Sequence, residues 1–345
     1  MDYFQSLVDI LGKFTKFSVL GKGDTRVVVS EKGGRIIGIF IDASPNLLWV
    51  NPKLEEILSE DGWNIGGIRL WLSPERSFFY SSPEKFEGWF CPKGIDPAQY
   101  RLIKDEPMHL SLGSRISVYD NLLKSNLEGF VRREIRILDI RRKYLKFWVR
   151  EGIVGEYVDR VNPWVLAQVP VGWKNVGTVL IPVKKNYEPV HYFREIPKDR
   201  LHRTDDCISF KIDGGLVTKL GVRPEDLREV GSGQIAYVTQ IDKRLWSAII
   251  LSSSNLPVSQ EDCLDVPKYN PEGYRASIQS YNSGHESFPD IKFGEIELQL
   301  APTMNIDGRI FATVEYNLVA MIGSREEILS KVKKLLKVRK FKIYQ

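Results

Sequence analysis

The chain is poor in sulfur and in histidine. Its three cysteines, Cys91, Cys207 and Cys263, are widely spaced and odd in number, and no CxxC or Cys/His ligand spacing occurs. That excludes a zinc-finger pattern and a disulfide framework, and it suits a reducing compartment. The four histidines, His109, His191, His202 and His285, lack the spacing that sets two ligands on one helical face. Neither a metal nor another cofactor is expected. Gly21-Lys22-Gly23 lacks the spacing and the following Lys-Ser/Thr of a phosphate loop, no GxGxxG follows a strand, and no GxSxG elbow is present. No apolar run approaches a membrane span, and residues 1–19 are interrupted by Asp2, Asp9, Lys13 and Lys16. A cytoplasmic protein without a signal peptide or a membrane partner is the expectation.

Net positive charge is also lacking outside one region. From Arg325 onward eight Lys and Arg stand against two Glu, which is +6 of a total of +5, so the remainder of the chain sums to −1. The basic character belongs to the tail and gives no ground for a nucleic-acid partner.

What the chain does have is short runs rich in Val, Ile, Phe, Tyr and Trp, at 26–30, 35–41, 133–138, 144–150, 176–183, 234–240 and 246–251. Gly-Gly, Gly-Lys-Gly, Asn-Pro, Asp-Gly-Gly and Gly-Ser-Gly separate them, as an antiparallel sandwich or barrel requires. An all-β fold is expected. Only two stretches read as helix. One is 52–58. The other follows Ser324, where Ser-Arg-Glu-Glu fits a capping box and Ile328, Leu329, Val332, Leu335 and Leu336 form an apolar stripe. That stripe docks on the parent domain with its lysines solvated, or else the helix is a charged interaction arm.

Two segments carry candidate chemistry. Glu295 to Leu300 alternates so that a strand sets Glu295, Glu297 and Gln299 on one face and Ile296, Leu298 and Leu300 on the other. Such a face is either solvated or lines a cleft, and in a cleft Glu297 is a candidate general base. In Ile68-Arg69-Leu70-Trp71-Leu72, Arg69 and Trp71 share a face. A forked donor beside a flat aromatic plate suits a sugar, whose hydroxyls take polar contacts while its C–H faces pack on rings. The alternative is Trp71 in the core and Arg69 in a surface salt bridge.

Taken in order, these segments resemble the aldose 1-epimerase, or galactose mutarotase-like, superfamily, and within it an uncharacterised branch. The resemblance rests on Gly33-Gly34-Arg35-Ile36-Ile37, Asn46-Leu47-Leu48-Trp49 and Gly66-Gly67-Ile68-Arg69-Leu70-Trp71-Leu72-Ser73-Pro74-Glu75. It continues through Asn162-Pro163-Trp164-Val165-Leu166-Ala167-Gln168-Val169, Ile181-Pro182-Val183, Lys219-Leu220-Gly221 and Gly233-Gln234-Ile235-Ala236-Tyr237. It ends with Gln279-Ser280-Tyr281-Asn282-Ser283-Gly284 and Glu295 to Pro302, covering roughly residues 17 to 322. The resemblance implies one large antiparallel supersandwich over residues 1–322, followed by a basic amphipathic helix and tail over 323–345.

It also implies a small-molecule carbohydrate as partner, with Glu297 as the base that takes the anomeric proton and Arg69 as an early sugar-contacting arginine. Trp71, Glu75, Trp164, Gln168, Lys219 and Tyr237 complete the expected substrate-binding set. Where the superfamily's mutarotases carry an acid histidine, this chain has Asn162-Pro163-Trp164. His191, His202, Asp205 and Lys219 are the other candidate proton donors. An isomerase interconverting sugar anomers, a sugar-binding protein without turnover, and an interaction module using the basic helix are the three functions carried forward.

Overall fold

Runs of β-branched and aromatic residues become strands here because each has a partner on both sides and a covered face. The computed structural model describes residues 2–288 and 291–345. The expected runs form Thr25–Ser30, Ile36–Phe40, Ser125–Arg141, Tyr144–Glu156, Gly177–Pro182, Gly233–Gln240 and Trp246–Ser253. With most of the remaining strands they build two large antiparallel sheets, a supersandwich, while Tyr80–Ser82 and Glu87–Trp89 pair as a separate hairpin.

One sheet has nine strands, in the order Phe17–Lys22, Thr25–Ser30, Ile36–Phe40, Ile68–Ser73, Asn162–Pro170, Phe293–Gln299, Ile278–Asn282, Thr218–Val222 and Val190–His191. Asn162–Pro170 is therefore central, and it joins strands from the two ends of the chain. The other sheet has eleven strands. Its borders are Leu201–Arg203 and Arg101–Glu106, and the strands Ser125–Arg141, Tyr144–Glu156 and Arg309–Gly323 are its longest. One continuous apolar core lies between the sheets, including Ile296 and Leu298 from the first and Ile249, Leu251 and Leu318 from the second.

Both faces of Ile68–Ser73 and of Phe293–Gln299 are covered, so every residue of these two strands is buried. Leu298 packs into the inter-sheet core while Glu295 and Glu297 point the other way. A solvated strand face is thereby ruled out for Glu297.

The expected helix at 52–58 is Leu54–Ser59, and the C-terminal one is Arg325–Leu336. Ser324 and Glu327 make the capping box, each accepting from the other's backbone N–H. Ile328, Val332 and Leu336 pack on Ala236, Val238, Ala248 and Met321. Leu335, expected in that stripe, is exposed instead, because it lies about 100° around the helix from Leu336.

The restriction of helix to those two places needs correcting. Tyr3–Phe14 is a full helix, and Glu75–Phe78 a short one. Asp2 caps the first by accepting from the Gln5 N–H, and Leu7 and Leu11, one turn apart, pack on Val28, Ile37, Phe40, Leu54 and Leu58. Asp9, between them, faces solvent. Among the described residues no helix is long and apolar enough to cross a membrane.

Candidate functional site

Register brings the expected site residues onto one face of the nine-stranded sheet. Leu166 lies opposite Arg69 on one side and Glu297 on the other, and Trp164 lies opposite Trp71 and Gln299. Glu295 faces Tyr281, which in turn faces Lys219. Paired residues of antiparallel neighbours point the same way, so these side chains rise together. Above them lies a cleft of about 670 Å³. Arg69, Trp71, Glu75, Trp164, Lys219 and Glu295 line its floor.

Glu297 sits directly beneath that lining. One of its oxygens, Oε2, takes the Lys219 ammonium at 3.0 Å and the Trp164 indole N–H at 3.0 Å. The other, Oε1, has no protein partner. Burial pushes the carboxyl up to about 7, with Glu295 and Asp265 adding repulsion and Lys219 opposing it. Burial works against the Lys219 charge, but Glu297, Asp265 and Glu75 together hold its ammonium above the usual range. The cation also lies 4.4 Å from the Trp164 ring centre and 5.2 Å from that of Tyr192.

A second pair of carboxyls flanks the same lysine. Glu75 accepts from the Trp89 indole N–H at 2.9 Å, and its backbone N–H donates to Asp265 Oδ1 at 3.2 Å. Burial raises both carboxyls. For Glu75, the neighbouring Asp265 and Glu295 raise it further while Lys219 and Trp89 oppose. The floor therefore offers a clamped carboxylate and a carboxyl held toward its protonated form.

Arg69 is no surface salt bridge. Its Nη2 donates to Glu295 Oε1 at 2.7 Å, both groups are buried, and the guanidinium lies 4.1 Å from the Trp71 ring centre. Its Nε and Nη1 are left without protein partners. Trp71 is fixed from behind, its indole N–H donating to Asp96 Oδ2 at 2.8 Å. The same oxygen takes Arg35 Nη2, so the Gly33-Gly34-Arg35 segment serves to hold a cleft wall.

Two expected site residues are not in the cleft. Tyr237 belongs to Gly233–Gln240 of the eleven-stranded sheet, where it is buried between the sheets with its hydroxyl donating to the Pro170 carbonyl. Gln168 is on the right sheet, but its Nε2 donates to Asn64 Oδ1 at 3.0 Å and it does not line the cleft. Of the candidate proton donors, His202 and Asp205 are exposed at the border of the other sheet. His191 accepts from the Ile196 N–H and is absent from the lining, its pKa lowered by burial. Only Lys219 reaches the site. Asn162 is spent on structure, donating to the Asp262 and Leu300 carbonyls.

Sequence reasoning missed Asp265, Trp63, Trp89 and Phe288, which come from loops and short hairpins without periodicity. Tyr281 lies in the Gln279-Ser280-Tyr281-Asn282-Ser283-Gly284 stretch of the resemblance and carries no signal that distinguishes it. A broader groove, about 760 Å³, crosses the outer face of the other sheet at Arg115, Glu128, Glu156 and Arg309, all exposed. Among the described residues, no group of three or more His, Cys, Asp and Glu is placed to hold a metal ion.

Residues 161–237 match a family of unknown function (DUF6786). No curated protein matches the chain. Among solved structures, a candidate aldose 1-epimerase from Escherichia coli K12 aligns at 12% identity and a TM-score of 0.50, over 90% of this chain and 99% of that one. A galactose mutarotase-like protein from Lactobacillus casei ATCC 334 aligns at 11% identity and a TM-score of 0.48, over 89% and 100%. A galactose 1-epimerase from Lactobacillus acidophilus NCFM aligns at 9% identity and 0.43, over 90% and 98%. The chain has the galactose mutarotase-like supersandwich fold.

Proposed function

We propose that the cleft binds an aldose and interconverts its anomers by acid/base ring opening. The observation that carries this reading is Glu297: one oxygen is clamped by Lys219 and Trp164, the other lacks a protein partner, and burial pushes the carboxyl up to about 7. A base with a pKa near the working pH combines a useful ionised fraction with useful basicity. In the proposed reaction Glu297 takes the proton of the anomeric hydroxyl while Glu75, protonated, gives its proton to the ring oxygen. The bond from C1 to the ring oxygen breaks, the open-chain aldehyde rotates, and the ring recloses as both protons return. Arg69 bonds hydroxyls through its unpartnered N–H groups, and Trp71 and Trp164 pack on C–H faces.

Lys219 does not serve as the acid in this scheme, because an ammonium held above its usual pKa gives up its proton reluctantly. The three free thiols suit a cytoplasmic setting. We take residues 1–322 as one sandwich unit, with 323–345 as a helix and tail docked on it.

Polarimetry or magnetisation-transfer NMR on glucose, galactose and their phosphates tests the reaction, comparing wild type with Glu297→Gln. The expected loss is about a hundredfold or more. A second reading, sugar binding without turnover, is favoured by one fact: Glu297 has no exposed surface, so a sugar reaches it only if the cleft floor rearranges. Saturable binding with interconversion at the uncatalysed rate selects that second reading.

A further inference from the structure

Above the floor, the cleft has a second tier of aromatic side chains that a single sugar ring does not use. Trp71 and Trp164 on the floor meet edge to face with ring centres 5.7 Å apart, and together they form one corner for the C–H face of a single ring. Trp63, Trp89 and Phe288 lie further out. Trp63 stands between the tiers, with its ring centre 5.6 Å from Trp71, 5.3 Å from Trp89 and 6.4 Å from Phe288. Trp71 is 3% exposed whereas Trp89 is 39% exposed. The floor ring is thus reached only from inside the cleft, while the outer ring offers its surface to whatever enters.

The outer aromatics are held in place. Trp63 packs against Trp71 with its ring centre 5.6 Å from the Arg69 guanidinium, the Trp89 indole N–H donates to Glu75 at 2.9 Å, and the Phe288 ring centre lies 5.2 Å from that of Phe293. Ordering such side chains on binding therefore costs little. Polar groups suited to hydroxyls accompany them. Arg194 and Glu286 form a half-exposed pair on the lining, and Lys268 donates to the Phe86 carbonyl at 3.0 Å. An exposed ion pair contributes little to stability, so its groups exchange readily onto a ligand.

We propose that this tier is a second sugar subsite, and that the ligand is a disaccharide or longer glycan whose reducing ring occupies the floor while the next ring stacks on Trp89 and Phe288 beside Trp63. The inference rests on the floor reading given above, and it adds the substrate class. The volume agrees: about 670 Å³ is within the range of drug-sized ligand sites, which hold more than one ring.

Isothermal titration calorimetry on the full chain tests it, with glucose and galactose against cellobiose, maltose and lactose. At least one disaccharide is expected to bind about tenfold or more tightly than its reducing-end monosaccharide, the size of effect one well-packed ring supplies. Phe288→Ala is expected to bring the affinity of that disaccharide down to that of its reducing-end monosaccharide. Trp63→Leu, checked for folding by circular dichroism, is the second variant and should also lose the gain. Monosaccharide binding with no gain for any disaccharide overturns the subsite and leaves the floor reading standing. A gain that survives both substitutions also overturns it, and no binding by either class of sugar removes both proposals.

Discussion

Lys219 is one residue asked to satisfy several carboxyls. Buried with Glu297 at 3.0 Å and near Glu75 and Asp265, it sets how much negative charge the cleft floor tolerates. Removing it withdraws the attraction that opposes burial at Glu297, so Lys219→Met should raise the Glu297 pKa above about 7. Because the folded pKa exceeds the ordinary carboxylate value, the contribution of Glu297 to stability is fully present below that ordinary value and is lost as pH rises through about 7. In Lys219→Met that loss should move to higher pH. Carbon-13 NMR of the side-chain carboxyls and thermal melts across pH 4 to 9 measure both shifts, and an unmoved Glu297 titration would contradict the coupling. At this scale strand alternation made legible that Glu295 and Glu297 share a face, as do Arg69 and Trp71, while it left open whether those faces are solvated or buried, and the choice of Glu297 and Arg69 as site residues came from the family resemblance. Tyr237 also came from the resemblance, and its strand joins the other sheet. Asp265 was not legible at all: it sits in a loop, and its meaning comes from Lys219, 46 positions earlier, and from its bonds to Glu75 and Gln279.

Elements were read correctly where one periodicity dominated. Ser324 with Glu327 reads as a capping box from spacing alone, and Ser324→Ala should lower stability by about 1 kcal/mol in urea denaturation. The Tyr3–Phe14 helix escaped because Asp9 and Lys13 interrupt the apolar residues when the stretch is read linearly, although Leu7 and Leu11 fall on one face. Leu11 is fully buried among Val28, Phe40 and Leu58, so Leu11→Ala should cost about 2 to 5 kcal/mol. A cost near zero would mean that this helix contributes nothing to the sheet edge it covers.

At the scale of the whole molecule, the two sheets are tied by a buried charge as well as by apolar contact. Arg133, from Ser125–Arg141 of the eleven-stranded sheet, donates through Nε to Glu151 at 2.8 Å. Its Nη1 crosses to the Gly34 carbonyl at 2.6 Å, at the turn that leads into Ile36–Phe40 of the nine-stranded sheet. Gly34 has a φ of +56°, and a Cβ there would lie 2.8 Å from the Tyr100 ring, so the carbonyl is offered from a turn that only glycine fits. Nothing in the linear order of Gly34, Arg133 and Glu151 announces this tie, whereas the collinear motifs did announce the sandwich. Burial raises the Glu151 carboxyl while Arg133 opposes it, and neither group can lose the other without a stranded polar partner. Glu151→Gln should therefore destabilise by about 3 to 5 kcal/mol, through an uncompensated Arg133. The double variant Arg133→Met with Glu151→Leu should recover most of that loss, because two apolar side chains of similar size carry no desolvation cost. Urea denaturation of both variants decides the matter. A double variant as unstable as the single one would mean that the pair's bond to Gly34, rather than its charge balance, holds the sheets in register.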